Sequence, residues 1–96
     1  FKIMQQTETQ TQYVGNGSSI ESYCISIAFY RPTTGSNNVY VNDVPIEAGQ
    51  TLTIAQNEGD LDTTRYQIKF SSSGGTNELY VIKVVPKNLP QGFFLV

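Results

Sequence analysis

The 96 residues supply enough chain for one domain with a modest core, and with 39% hydrophobic and only 15% charged residues the balance falls to Thr, Ser, Gln, Asn and Gly. Histidine is absent and cysteine occurs once, so the common zinc sites, the Ser-His-Asp triad and the Cys-His pair cannot be built within one chain. A formal charge of −2 without a concentrated basic stretch argues against nucleic-acid binding.

The charge is unevenly spread. Between Val41 and Thr64 lie Asp43, Glu47, Glu58, Asp60 and Asp62 with no Lys or Arg, whereas Arg65, Lys69, Lys83 and Lys87 face only Glu78 in the remainder. Such asymmetry either orients copies of the chain head to tail or is cancelled between neighbouring strands. No apolar run approaches the roughly 18 residues of a bilayer span, and "FKIMQQTETQ" lacks the apolar middle of a signal peptide. Neither a membrane partner nor a cofactor is expected.

Period-two alternation dominates the chain from its first element. "FKIMQQTETQTQYV" predicts an extended strand or arm over 1–14, turned by Gly15-Asn16-Gly17 into the next. "IESYCISIAFY" predicts a central strand, with Tyr23, Ile25, Ile27 and Phe29 on one face and Cys24, Ser26, Ala28 and Tyr30 on the other. Cys24 then reads as a buried, inert thiol, because no base or cation stands near it in sequence. "RPTTGSNN" is a loop by composition.

"VYVNDVPI" carries the clearest hairpin signal. Asn42 and Asp43 tolerate the positive φ of a tight turn, and Pro45, with no amide hydrogen, sends the second arm to a sheet edge. Glu47-Ala48-Gly49 makes the next turn, and "QTLTIA" points Leu52 and Ile54 inward. "RYQIKF" is amphipathic, with Tyr66, Ile68 and Phe70 toward the core and Arg65, Gln67 and Lys69 toward water. "SSSGGTN" is a flexible loop, and "ELYVIKVVPK", apolar on both faces except at its ends and Lys83, is a second central strand. "PKNLPQG" then breaks the pattern before the apolar "FFLV".

These elements predict an all-β fold over 1–96: a single small antiparallel β-sandwich, immunoglobulin-like or jelly-roll-like, of six to eight strands, with extended arms at 1–14 and 88–96. Phe93, Phe94, Leu95 and Val96 are candidate assembly residues. They either fold back on their own core or pack on a neighbouring subunit, and the Pro-bounded spacer favours the second.

The stretch "NEGDLDTTRYQIKF" holds the one candidate cation cluster, Glu58, Asp60 and Asp62 around Gly59. It lacks the ligand series, closing Glu and flanking helices of an EF-hand. A turn explains more, with Asp62 accepting backbone amides just after it. No metal is expected. Paired carboxylates in turns, with no aromatic sugar platform beside them, do not suggest glycoside hydrolysis. The chain is therefore read as a non-enzyme. The six tyrosines are read as packing residues before a sugar- or base-stacking surface, and Asn16-Gly17-Ser18 matches a glycosylation acceptor by pattern alone.

The order "NVYVNDVPIEAGQTLTI", "NEGDLDTTRYQIKF", a Gly-rich loop and "ELYVIK", from Asn38 to Lys83, resembles small β-sandwich proteins of tailed bacteriophage particles, especially phages of gut and marine Bacteroidetes. The resemblance implies a non-enzymatic virion protein, such as a capsid decoration, head-fibre or tail component. It implies assembly in the host cytoplasm, with copies of itself or other virion proteins as partners. The alternatives are a carbohydrate-binding module and a fimbrial or other surface-assembly subunit.

Overall fold

A computed structural model describes residues 7–57, 59–72 and 74–86. Eight strands follow in order: β1 (Thr7–Val14), β2 (Ser18–Glu21), β3 (Ser26–Tyr30), β4 (Val39–Val41), β5 (Val44–Ile46), β6 (Thr51–Ala55), β7 (Arg65–Phe70) and β8 (Leu79–Pro86). They form two antiparallel four-stranded sheets, β1-β8-β3-β6 (sheet A) and β2-β7-β4-β5 (sheet B).

The strands pair as one long folded ribbon, first with last: β1 with β8, β2 with β7, β3 with β6 and β4 with β5. Successive ribbon segments lie alternately in sheet A and sheet B, and the β3–β8 and β4–β7 pairs close each sheet. This is the jelly-roll arrangement, which resolves the two sandwich types left open by the sequence.

Alternation explains which faces meet. Ile27 and Phe29 of β3, Leu79 and Val81 of β8, Val39 and Val41 of β4 and Ile68 of β7 are almost wholly buried. The Phe29 and Tyr66 rings meet edge to face across the two sheets, with centroids 5.2 Å apart. In β7 the expected pattern is found: Tyr66 and Ile68 are buried while Arg65, Gln67 and Lys69 are exposed. The hairpin turn is also as expected, with φ of 48° at Asn42 and 67° at Asp43. β5 is an edge strand, as Pro45 requires.

One face assignment is corrected. Tyr23 is 64% exposed and so does not share the buried face of Ile27 and Phe29, while Cys24 is fully buried, as expected of an inert thiol. The cause is a change of sheet. Tyr23 takes a left-handed φ of 39°. Cys24 still pairs with Asp62, in line with the β2–β7 ladder. The next residue, Ile25, already donates its amide to Val84 O of sheet A, at 2.7 Å. The predicted single strand is thus the end of β2, a crossing and the shorter β3.

Loop residues Ser71, Ser72 and Thr76 are tied to residues 36–38. Ser36 N donates to Thr76 O (3.0 Å), Thr76 N returns a bond to Ser36 Oγ (2.8 Å) and Asn37 Nδ2 donates to Ser72 O (3.2 Å). The Gly and Ser composition that suggests flexibility does not reveal these partners.

Candidate functional site

The acidic stretch occupies the point where the ribbon crosses from sheet B to sheet A. On the outgoing arm Cys24 and Ile25 are adjacent. On the returning arm their partners are Asp62 and Gln56, so Asn57, Gly59, Asp60 and Leu61 have no counterpart there and lie in the loop. Asp60 is exposed, and its amide donates to Asn57 O at 3.0 Å. Asp62 is 4% exposed. Glu58 lies outside the described residues. The two described acids therefore face different surroundings, and among the described residues no group of three His, Cys, Asp or Glu side chains is placed to hold a metal ion.

Asp62 is held by its own neighbours. Its Oδ1 accepts the Thr64 amide at 2.8 Å, the turn bond expected from sequence, and lies 3.1 Å from Ser22 Oγ. The Tyr66 hydroxyl donates to Oδ2. Ser22 Oγ has a single hydrogen to share among Asp62 O (2.8 Å), Thr64 O (2.7 Å) and Asp62 Oδ1. Burial pushes the Asp62 carboxyl up, but the bonds from Tyr66, Thr64 and Ser22 outweigh it and leave the group below its ordinary value. Burial and the neighbouring Asp62 push the Tyr66 hydroxyl up to about 12. Burial, then the Asp62 charge, also raise the Cys24 thiol, which makes it a poor nucleophile at neutral pH. The cluster is a structural staple with both carboxylate oxygens engaged inside the fold.

A second buried charge sits at the next crossing, and nothing in the sequence around it marked it out. Arg31 is 7% exposed. Its Nη1 donates to Ile46 O (3.0 Å) and Asn38 Oδ1 (3.3 Å), and Nη2 to Gly35 O (3.4 Å). Among the described residues its Nε has no partner. The planar fork joins the β3–β4 loop to β5, a role that Arg geometry suits better than Lys.

The surface offers a clearer functional feature. On the outward face of sheet A, β1 presents Thr7, Thr9, Thr11 and Tyr13, and β8 presents Tyr80, Ile82, Val84 and Pro86. Beside them β3 presents Ser26, Ala28 and Tyr30, and β6 presents Thr51, Thr53 and Ala55. None of these residues is charged. Tyr13, Tyr80 and Tyr30 stand directly opposite one another across three strands and are 55%, 37% and 36% exposed. Tyr13 and Tyr80 are tilted by 59° with centroids 5.4 Å apart, and the Tyr13 hydroxyl donates to Asn77 O at 3.0 Å.

Sheet B differs. Its outward positions include Glu21 paired with Arg65, and Lys69 3.7 Å from Asp43. An antiparallel sheet with one face in water ordinarily alternates apolar and polar residues, as β7 does. β3 and β8 do not, so the "apolar on both faces" signal marks both a core face and a second surface suited to contact. Of two shallow depressions of about 280–290 Å³, one, lined by Glu21, Lys83 and Tyr23, reaches the outward face of sheet A only at Pro86, and the other is lined by Asn16, Lys69 and Phe70.

Phe93, Phe94, Leu95 and Val96 lie outside the described residues. What the structure fixes is their point of departure. Pro86, at the end of β8, stands opposite Thr7 at the start of β1, so segments 1–6 and 87–96 join sheet A at the same end. No protein-family model matches the chain, and no curated protein or solved structure matches it.

Proposed function

We propose that the protein is a non-enzymatic structural component of a phage particle, of the capsid-decoration, head-fibre or tail kind, and that it associates through the outward face of sheet A. The observation that carries this reading is the uncharged face with its Tyr13–Tyr80–Tyr30 row. Depletion of charge and enrichment in Tyr are the compositional marks of an interface core. The jelly roll is a fold that viral shell proteins use, although a fold by itself does not assign a function. The resemblance between Asn38 and Lys83 points the same way. In this reading Phe93 to Val96 are a second assembly element, delivered from the end of sheet A.

The exposed tyrosine row favours one alternative, a carbohydrate-binding module, since aromatic faces also stack on sugars. The test is twofold. Capsid, portal and terminase genes should neighbour this one, and the protein should be present in purified particles. Ile82→Lys should abolish its incorporation while leaving the melting transition in place. Incorporation unaffected by Ile82→Lys, beside glycan-array binding that Tyr80→Ala removes, would replace assembly with sugar recognition.

A further inference from the structure

The four sheet edges are not equivalent, and the differences can be derived strand by strand. In the β4–β7 pair Asn42 N donates to Gln67 O and Ser71 N to Asn38 O, so Tyr40 bonds toward β7 while Val39 and Val41 bond toward β5. Position 45 then faces the open edge of sheet B, and Pro45 removes the donor that would point outward there. On β2 the Ser22–Thr64 bond sets Glu21 facing outward, and Lys83 Nζ donates to the Glu21 carbonyl at 3.1 Å. On its inward side β1 presents Glu8, Gln10 and Gln12 opposite Val85, Lys83 and Val81, and its one apolar inward residue, Val14 opposite Leu79, is already buried, so a strand added there would cover little apolar surface.

Among the described residues, β6 has none of these protections. "TLTIA" contains no charge and no proline. Arg31 N donates to Gln50 O and Gln56 N to Ile25 O, so the even-numbered residues of β6 bond to β3. The backbone groups of Thr51, Thr53 and Ala55 face outward. On the core side Leu52 and Ile54 are only partly buried although they pack against the core. Val44 of β5, which lies across from buried Val41, is 48% exposed. β5 and β6 are joined by the short turn 47–50, so these apolar residues belong to one side of the sandwich.

We propose that β6 pairs antiparallel with β6 of a second copy about a two-fold axis at Thr53, joining the two A sheets into one continuous sheet. The register is the one that pairs every residue of the five-residue strand. Outward-facing groups must meet one another, so Thr53 pairs with Thr53 and Thr51 with Ala55. Between them, Leu52 of each copy falls opposite Ile54 of the other in a non-hydrogen-bonded pair, where side chains approach most closely. Both apolar residues lie on the core face, and no like charges are brought together. A slip by one residue would leave outward donors without acceptors and would lose this match. The same sequence therefore supplies both halves of the contact, which selects a second copy as the occupant. The pairing is independent of what the outer face of sheet A binds.

The experiment is light scattering of the parent protein across a concentration series, beside Thr53→Pro, Thr53→Lys and Thr53→Cys. The parent should show a dimer mass. Thr53→Pro removes only an outward-facing donor, as Pro45 does in β5, and should halve the mass while circular dichroism keeps its cooperative melt. Thr53→Lys places two ammonium groups at the axis and should do the same. In Thr53→Cys a short bis-maleimide should join two chains, because the paired Cα atoms lie about 5.5 Å apart. Cys24, being fully buried, does not compete. A monomeric parent would overturn the proposal. So would a dimer indifferent to Thr53→Lys, or one that Thr53→Cys cannot cross-link but that deletion of Phe93 to Val96 dissolves, since the terminal segment would then be the contact.

Discussion

Tyr66 reaches from the core face of β7 to donate its hydroxyl to Asp62, the residue that pairs with Cys24 at the crossing between sheets. The same ring meets Phe29 of the opposite sheet edge to face. One side chain thus connects the packing of the two sheets to the place where the chain passes between them.

Removing the carboxylate should be costly for that reason. Asp62→Ala leaves the Tyr66 hydroxyl and the Thr64 amide without their acceptor, and a buried unsatisfied group costs about 1–3 kcal/mol. Urea denaturation should show that loss with or without calcium. Asp62→Asn, which keeps one acceptor oxygen, should lose less. A melting temperature that calcium raises in the parent and not in Asp62→Ala would mark a cation site instead.

The same pair shapes the pH dependence. The folded Asp62 carboxyl is held below its ordinary value, so the unfolded chain binds a proton at higher pH than the native one. Its contribution is complete above about pH 3.9 and is lost as pH falls through the folded value. The Tyr66 hydroxyl runs the other way. It is raised from 10.0 to about 12, so its contribution is complete below pH 10.0 and is lost as pH rises toward 12. Denaturation midpoints measured across both ranges should show Tyr66→Phe less sensitive than the parent on the alkaline side. Equal alkaline slopes would show that the buried hydroxyl does not titrate there.

The core register predicts a sharp contrast between neighbours. Ile68 is 2% exposed, whereas Gln67 faces water. Ile68→Ala should cost about 2–5 kcal/mol, and Gln67→Ala should stay within about 0.5 kcal/mol of the parent. Comparable midpoints for the two variants would place β7 one residue out of register.

Arg31 gives a test of geometry against charge. Arg31→Lys keeps the charge but cannot reach Ile46 O, Asn38 Oδ1 and Gly35 O from one planar group. Leaving the buried Ile46 and Gly35 carbonyls short of donors should cost about 1–3 kcal/mol, read as a lower denaturation midpoint. A parent-like midpoint would show that the ammonium satisfies the site as well.

Much of this molecule is set locally. The alternation of "RYQIKF", the Asn42-Asp43 turn and the edge position forced by Pro45 follow from side-chain period and backbone chemistry, and each is found where the sequence puts it. The strand order was not legible, because alternation orients a strand without choosing its partner. The exposed Tyr23 and buried Cys24 show the limit most directly. A period-two pattern assumes one continuous sheet, and here the chain changes sheets between Cys24 and Ile25. Only the pairing of residues distant in sequence, Cys24 with Asp62 and Ile25 with Val84 and Gln56, decides where that change falls. Asp62 was recognisable as a turn residue from its neighbours. Its burial beneath Tyr66, like the burial of Arg31 against Ile46 O, depends on chain crossings that bring remote backbone carbonyls and hydroxyls together in a space closed to water.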